Sequence, residues 1–197
     1  MSRALKSALA LFALTLLLGL YLAWAGVPAA DLRIANAFAV ERVRESFWFA
    51  VTKAGDWEAR LAVGLIAAAY LWSRRRGAAA VLLLSVAAAQ TLSNSGLKLL
   101  FARARPELFD HLDHTWDLSY PSGHAAQNAA LYLLVALLID RRLLWISVPL
   151  VALIGVSRVV LGVHWPSDVI GGWLEGAAFA LLGLHLSKRR LARRVNP

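Results

Sequence analysis

Long apolar stretches divided by short polar or basic runs dominate the chain. A helix needs about 20 predominantly apolar residues to cross the hydrocarbon core of a bilayer. Six stretches approach that length, at roughly 7–27, 58–73, 78–100, 122–139, 143–163 and 168–187. The second and fourth are short, but Trp57, Tyr70 and Trp72 can anchor the second at the interface, and packing in a bundle lets shorter helices span. The pattern predicts an all-α fold, a polytopic membrane protein with six transmembrane helices in a bundle, forming one domain over residues 1–197.

Residues 31–53 do not fit a span. Ile34, Phe38, Phe47, Trp48 and Val51 alternate there with Arg33, Glu41, Arg42, Arg44 and Glu45, which suits a helical segment lying in the outer interface. It reads as an amphipathic connector in preference to a lipid gate. The basic start, apolar run and Ala23-Trp24-Ala25 also fit a signal peptide with a small-residue cleavage site. Because the run is longer than the usual signal core, it is taken as a first span.

Composition agrees with a lipid environment. Of 197 residues 59% are hydrophobic and 17% charged, against about 45–50% and a quarter in soluble domains. There is no cysteine, so disulfides and cysteine-based zinc or redox sites are excluded. The net charge of +9 is the kind of surplus nucleic-acid-binding proteins carry, yet no nucleic-acid-binding motif accompanies it. The charges instead alternate. Arg3 and Lys6, Arg74–Arg76, Arg141–Arg142 and the run from Lys188 to Arg194 fall at every second connection. By the positive-inside rule both termini are cytoplasmic, and the connections 28–57 and 101–121 face outward. The inward-facing parts hold 12 of the 21 basic residues and, among the acids, only Asp140, so the surplus is an orientation signal.

Ionisable groups at membrane depth are costly, about 2.5–3.5 kcal/mol at a helix centre, and ask for a partner or a function. Lys98, Arg105, His124, Arg158, His164 and Asp168 all fall at or just beyond the outer ends of predicted spans. Gln90, Asn94 and Lys98 share one helix face, which should look inward. Lys98 and Arg105 suit a phosphate, although either alone would also suit an interface position. Pro121-Ser122-Gly123-His124 opens the fourth span: Ser122 can cap the helix, Gly123 allows close approach, the first-turn N–H groups can bind an anion, and His124 can act as a proton donor. Ser167 or Asp168 begins the sixth helix, and Asp168 can orient His164 so that a neutral ring nitrogen is left as nucleophile or base. On span six Glu175 lies about 10 Å below Asp168 at 1.5 Å per residue. Gly172 and Gly176 have small-xxx-small spacing, expected inside one bundle. His111-Leu112-Asp113-His114 is read as solvated loop.

Taken together, Lys98–Arg105–Pro106, Pro121-Ser122-Gly123-His124 and Ser157-Arg158 with His164 and Asp168 resemble the three-part signature of the type 2 phosphatidic acid phosphatase superfamily, matching it in type and spacing. The resemblance implies a metal-independent lipid phosphatase at the extracytoplasmic face of the bacterial inner membrane, with no cofactor. His164 would be the nucleophile that forms a phosphohistidine, Asp168 its orienting partner and His124 the proton donor. Lys98, Arg105, Ser122, Gly123 and Arg158 would hold the phosphate. Substrates implied are phosphatidic acid, phosphatidylglycerol phosphate, undecaprenyl diphosphate or the 1-phosphate of lipid A. A lipid-phosphate transporter or binding protein using the same cations without chemistry is the alternative, and the His164/Asp168 pair separates them, because binding alone needs no oriented imidazole.

Overall fold

In the computed structural model, which describes residues 1–115 and 118–195, every regular element is helical. The order is α1 (Arg3–Ala25), α2 (Ala29–Phe38), a 3₁₀ stretch (Ala39–Arg44), α3 (Glu45–Lys53), α4 (Trp57–Ser73), α5 (Gly77–Phe101), α6 (Gly123–Ile139), a 3₁₀ turn (Arg141–Leu143), α7 (Leu144–Val160) and α8 (Pro166–Val195). The side chains of Arg190, Arg193 and Arg194 in the basic run lie outside the described part. By length and composition four helices can cross a membrane: α1, α5, α7 with its preceding turn, and α8. The other two expected spans, α4 and α6, have 17 residues each.

Local chemistry sets the helix ends. Ser2 Oγ accepts from Leu5 N–H and starts α1, which stops where Gly26 takes φ 70° and Pro28 follows. α5 ends at Ala102 in the left-handed region, with its N–H closing on Lys98 O. α7 ends at Val160, short of the expected 163, because the N–H groups of Val163 and His164 both fold back to Arg158 O. α8 begins at Pro166, earlier than expected. Its missing N–H costs nothing in the first turn, and Asp168 accepts the Trp165 N–H at 2.8 Å, as the third residue of a capping box does. The expected Ser122 cap on α6 is absent: Ser122 Oγ makes no capping hydrogen bond, and its N–H donates to Asp168 O at 3.0 Å.

α8 packs most extensively on α6 and α1. Any Cβ at Gly172 would lie 2.6 Å from Ser122 O, and one at Gly176 would meet Ala126 and Ala129, so the small-residue pair serves contact within the bundle. Leu71, Leu83, Leu134 and Ile154 fill the interior between α4, α5, α6 and α7. The amphipathic segment resolves into α2 and α3, which pack against α7 and α8. One end of the bundle therefore gathers the beginnings of α4, α6 and α8 with the ends of α5 and α7.

Candidate active site

At that end a cavity of about 510 Å³ opens, lined by Lys98, Arg105, Gly123, His124, Arg158 and His164 among others. Lys98, in the last turn of α5, is buried, and its Nζ donates to Leu118 O. Arg105, carried past the helix end by the Ala102 turn and non-helical backbone before Pro106, donates from Nη1 to Val163 O and faces His164 Nε2 at 3.2 Å. Arg158 comes from the opposite side, where α7 ends. It donates from Nη1 to Thr52 Oγ1 at 2.7 Å and to Asp113 Oδ2 at 2.5 Å.

His164 is buried, in the turn between α7 and α8. Burial, with Arg105, Lys98 and Arg158 around it, holds its pKa well below the ordinary imidazole value, so the ring is neutral at neutral pH. Its Nδ1 stands 3.6 Å from Asp168 Oδ2 and 3.4 Å from Ser119 Oγ, which itself donates to that same oxygen at 2.5 Å. The direct His–Asp distance exceeds a hydrogen bond, so the Ser119 hydroxyl shares the contact. His124, in the first turn of α6, meets Asp56 Oδ1 through Nε2 at 2.9 Å. Burial raises the Asp56 carboxyl, but the His124 and Lys53 contacts outweigh it and hold it at about 2; Lys53 Nζ sits 2.7 Å from its other oxygen.

Ser122, expected to hold phosphate, does not line the cavity, whereas Asp168, expected to orient His164, lies next to that ring. Ser122 is fully buried outside the lining, and its Oγ has no hydrogen-bond partner among the described residues. Asp168 stands behind His164, fully buried. The loop read as solvated is partly engaged, since Asp113 closes on Arg158 and His114 lines the cavity. Glu175 is fully buried and accepts from Asn94 Nδ2 at 2.8 Å. Sequence reasoning missed Asp31, Asp56, Arg103 and Ser119. One signal was present: outside the inward-facing parts the chain carries 9 basic residues and 11 acids, so the outer cations had acids available to pair with.

The model of the PAP2 superfamily matches residues 78–192, more than half of the chain. The chain belongs to the PAP2 superfamily. Within this PAP2 chain the match covers α5 to α8, the helices that carry Lys98, His124, Arg158 and Asp168. Phosphatidylglycerophosphatase B of Bacillus subtilis (strain 168) is 37% identical over 106 residues, 49% of this chain and 52% of that one. Undecaprenyl-diphosphatase of Sulfolobus acidocaldarius is 36% identical over 99 residues, 45% and 46% of the two chains. Lipid A 1-phosphatase of Rhizobium johnstonii is 38% identical over 96 residues, 44% and 38% of the two. The matched segment thus spans about half or less of these relatives' length. The crystal structure of a transmembrane PAP2 type phosphatidylglycerolphosphate phosphatase from Bacillus subtilis superposes with a TM-score of 0.81 at 25% identity, covering 93% of this chain and 96% of that one. With its apolar helices, this makes the PAP2 chain a multi-pass membrane protein.

Proposed function

We propose that this chain is one membrane-embedded phosphatase domain that releases phosphate from a lipid phosphate monoester or diphosphate through a phosphohistidine on His164. The observation that carries the reading is the convergence of a buried neutral imidazole, a second histidine and three cations on one cavity. His164 Nε2 attacks phosphorus; as the N–P bond forms, the P–O bond to the lipid breaks and His124 protonates the leaving oxygen. Water then attacks the phosphohistidine, His124 takes its proton, the N–P bond breaks, and inorganic phosphate leaves with His164 neutral again. Lys98, Arg105 and Arg158, with the Gly123 N–H, stabilise the charge on the phosphoryl oxygens; Ser122 is assigned a supporting place in the wall behind them. No metal takes part in these steps.

A lipid substrate is supported by a second, apolar cavity of about 320 Å³. Leu61, Leu84, Ala87 and Leu131 line it, and it shares Trp57, Arg60 and Gln127 with the polar one, so a tail can lie between α4, α5 and α6 while the headgroup reaches His164. The named relatives act on three different lipid phosphates, and the candidates here are phosphatidic acid, phosphatidylglycerol phosphate, undecaprenyl diphosphate and the lipid A 1-phosphate. In this reading α4 and α6 also span, giving six crossings of the bacterial cytoplasmic membrane, cytoplasmic termini and a site facing outward. The alternation of basic residues supports that orientation.

The experiment is phosphate release from those four lipids by protein purified in detergent. Release is expected from at least one, in EDTA as well as without it, and none by His164→Ala. Asp168→Asn should retain lipid binding and lose rate by orders of magnitude. Lipid binding without release from any of the four would overturn the enzyme reading in favour of a carrier, and a metal requirement would overturn the mechanism. For orientation, a thiol reagent that cannot cross the membrane should label Glu107→Cys but not Arg75→Cys in intact spheroplasts. The reverse pattern would invert the topology.

A further inference from the structure

A second polar cluster lies behind the cavity, outside its lining. Arg103 leaves the end of α5 and reaches two carboxylates at once: its Nη1 is 2.5 Å from Asp168 Oδ1, and its Nη2 is 2.8 Å from Asp31 Oδ2. Its guanidinium also lies 5.8 Å from the centre of the Trp165 ring. Asp31 belongs to α2, the first outer helix, yet it is buried. It accepts the Ser167 N–H at 2.9 Å and the Ser167 hydroxyl at 2.5 Å, and Arg103 Nη1 donates to that hydroxyl at 2.7 Å. The side chains of Arg103, Asp31 and Asp168 are all at most 9% exposed.

Buried ion pairs at this depth are poor sources of stability, because desolvation offsets their attraction. What they supply is position and charge state. Asp168 Oδ2 is taken by Ser119 Oγ and Trp165 N–H on the side of His164. Its other oxygen is held by Arg103. A carboxylate fixed at both oxygens cannot rotate, and a guanidinium on one of them favours the ionised form, the form that accepts the proton on the His164 side.

From this juxtaposition we infer that Arg103 and Asp31 are positioning residues for the reaction: Arg103 aims Asp168 at His164 and favours its charged form, and Asp31 holds Arg103 in place. The inference rests on the phosphatase reading. It makes α2 part of the machinery that prepares the nucleophile, although α2 contributes nothing to the cavity lining.

The test uses the full chain in detergent and phosphatidic acid, or whichever of the four lipids the wild type turns over fastest. Arg103→Gln should lower kcat roughly 10- to 100-fold, the size of one charge-assisted hydrogen bond lost, with KM changed less than about threefold. Its acid limb should move up by about one pH unit, because Asp168 and His164 both protonate more readily without that cation. Arg103→Lys should recover most of the rate and restore the limb, and Asp31→Asn should lower kcat several-fold at unchanged KM. Combined with Asp168→Asn, Arg103→Gln should add almost nothing, since both act through one carboxylate. If Arg103→Gln fails to accumulate, Arg103→Lys and Asp31→Asn, alone and with Asp168→Asn, decide the matter by the same criteria. Wild-type kcat in Arg103→Gln and Asp31→Asn, a loss that adds fully to that of Asp168→Asn, or equal losses in the Gln and Lys variants with an unmoved acid limb would each overturn the inference while leaving the phosphatase reading intact. No release by the wild type from any lipid would overturn both.

Discussion

The cations proposed to hold phosphate already have protein partners, and Arg158 shows what that means for the proposal. Its closest charged neighbour is Asp113, 2.5 Å away in the outer loop. In that reading an incoming phosphoryl group is negative like that carboxylate and competes for the same guanidinium, so binding would include the cost of displacing Asp113. Asp113→Asn should remove the competitor's charge while keeping its shape. KM for the lipid phosphate is expected to fall several-fold with kcat changed less, measured in a detergent assay at low salt; an unchanged or raised KM would mean that Asp113 shapes the site instead of competing for it. The same residue shows where sequence reasoning stops. Asp113 sits among His111, Leu112 and His114 in a loop with no periodicity, and its role depends on α7 bringing Arg158 to it from 45 positions away. Lys98, His124, Arg158 and His164 were legible because an ionisable side chain near membrane depth is conspicuous in any apolar stretch. Arg103 was not. It lies between Lys98 and Arg105, where one more cation at an interface looks ordinary.

Among elements, spans were easier to read than their connections, and the reason is physical. A helix in lipid must satisfy its own backbone, so apolar length alone nearly determines α1, α5, α7 and α8. Their ends depend on single residues instead. The expected sixth span begins at 168, but the helix begins at Pro166 because Pro fits the first turn and Asp168 caps from within it. Ser122 does stand at the N-cap position of α6, but its Oγ accepts no first-turn N–H; what it adds is a backbone contact, its N–H to Asp168 O, between α6 and α8 that one strand of sequence cannot display. The outer segment was expected to be an amphipathic connector, and Asp31 was not singled out within it. Its burial comes from docking of α2 against α8, where Ser167 and Arg103 supply the donors. The glycine pair of α8 seats that helix tightly on α6. This keeps Asp168 and His124, which arise from different helices, at a fixed separation.

For the molecule as a whole, the division of charge and the placement of the site describe one arrangement. Basic residues crowd the connections at one end of the bundle, and the candidate site occupies the other, where acids and cations are nearly balanced. α4 and α6 flank both cavities and have 17 residues each, a rise of about 25 Å against a hydrocarbon core of about 30 Å. If both helices cross as proposed, hydrophobic mismatch falls on the proposed lipid-entry side, and thinning of the bilayer there is one way to meet it. A lipid that diffuses into the thinned collar has its headgroup lowered toward the cavity before it touches the protein's charges. Turnover in proteoliposomes should therefore decline several-fold as acyl chains lengthen from about 14 to about 22 carbons, with the detergent rate unaffected by the same preparation. A rate indifferent to thickness would mean that the short helices are matched by snorkelling of flanking residues or by packing and leave the membrane flat. If the decline is seen, bilayer thickness is a control on this protein's activity that acts with no ligand and no change of sequence.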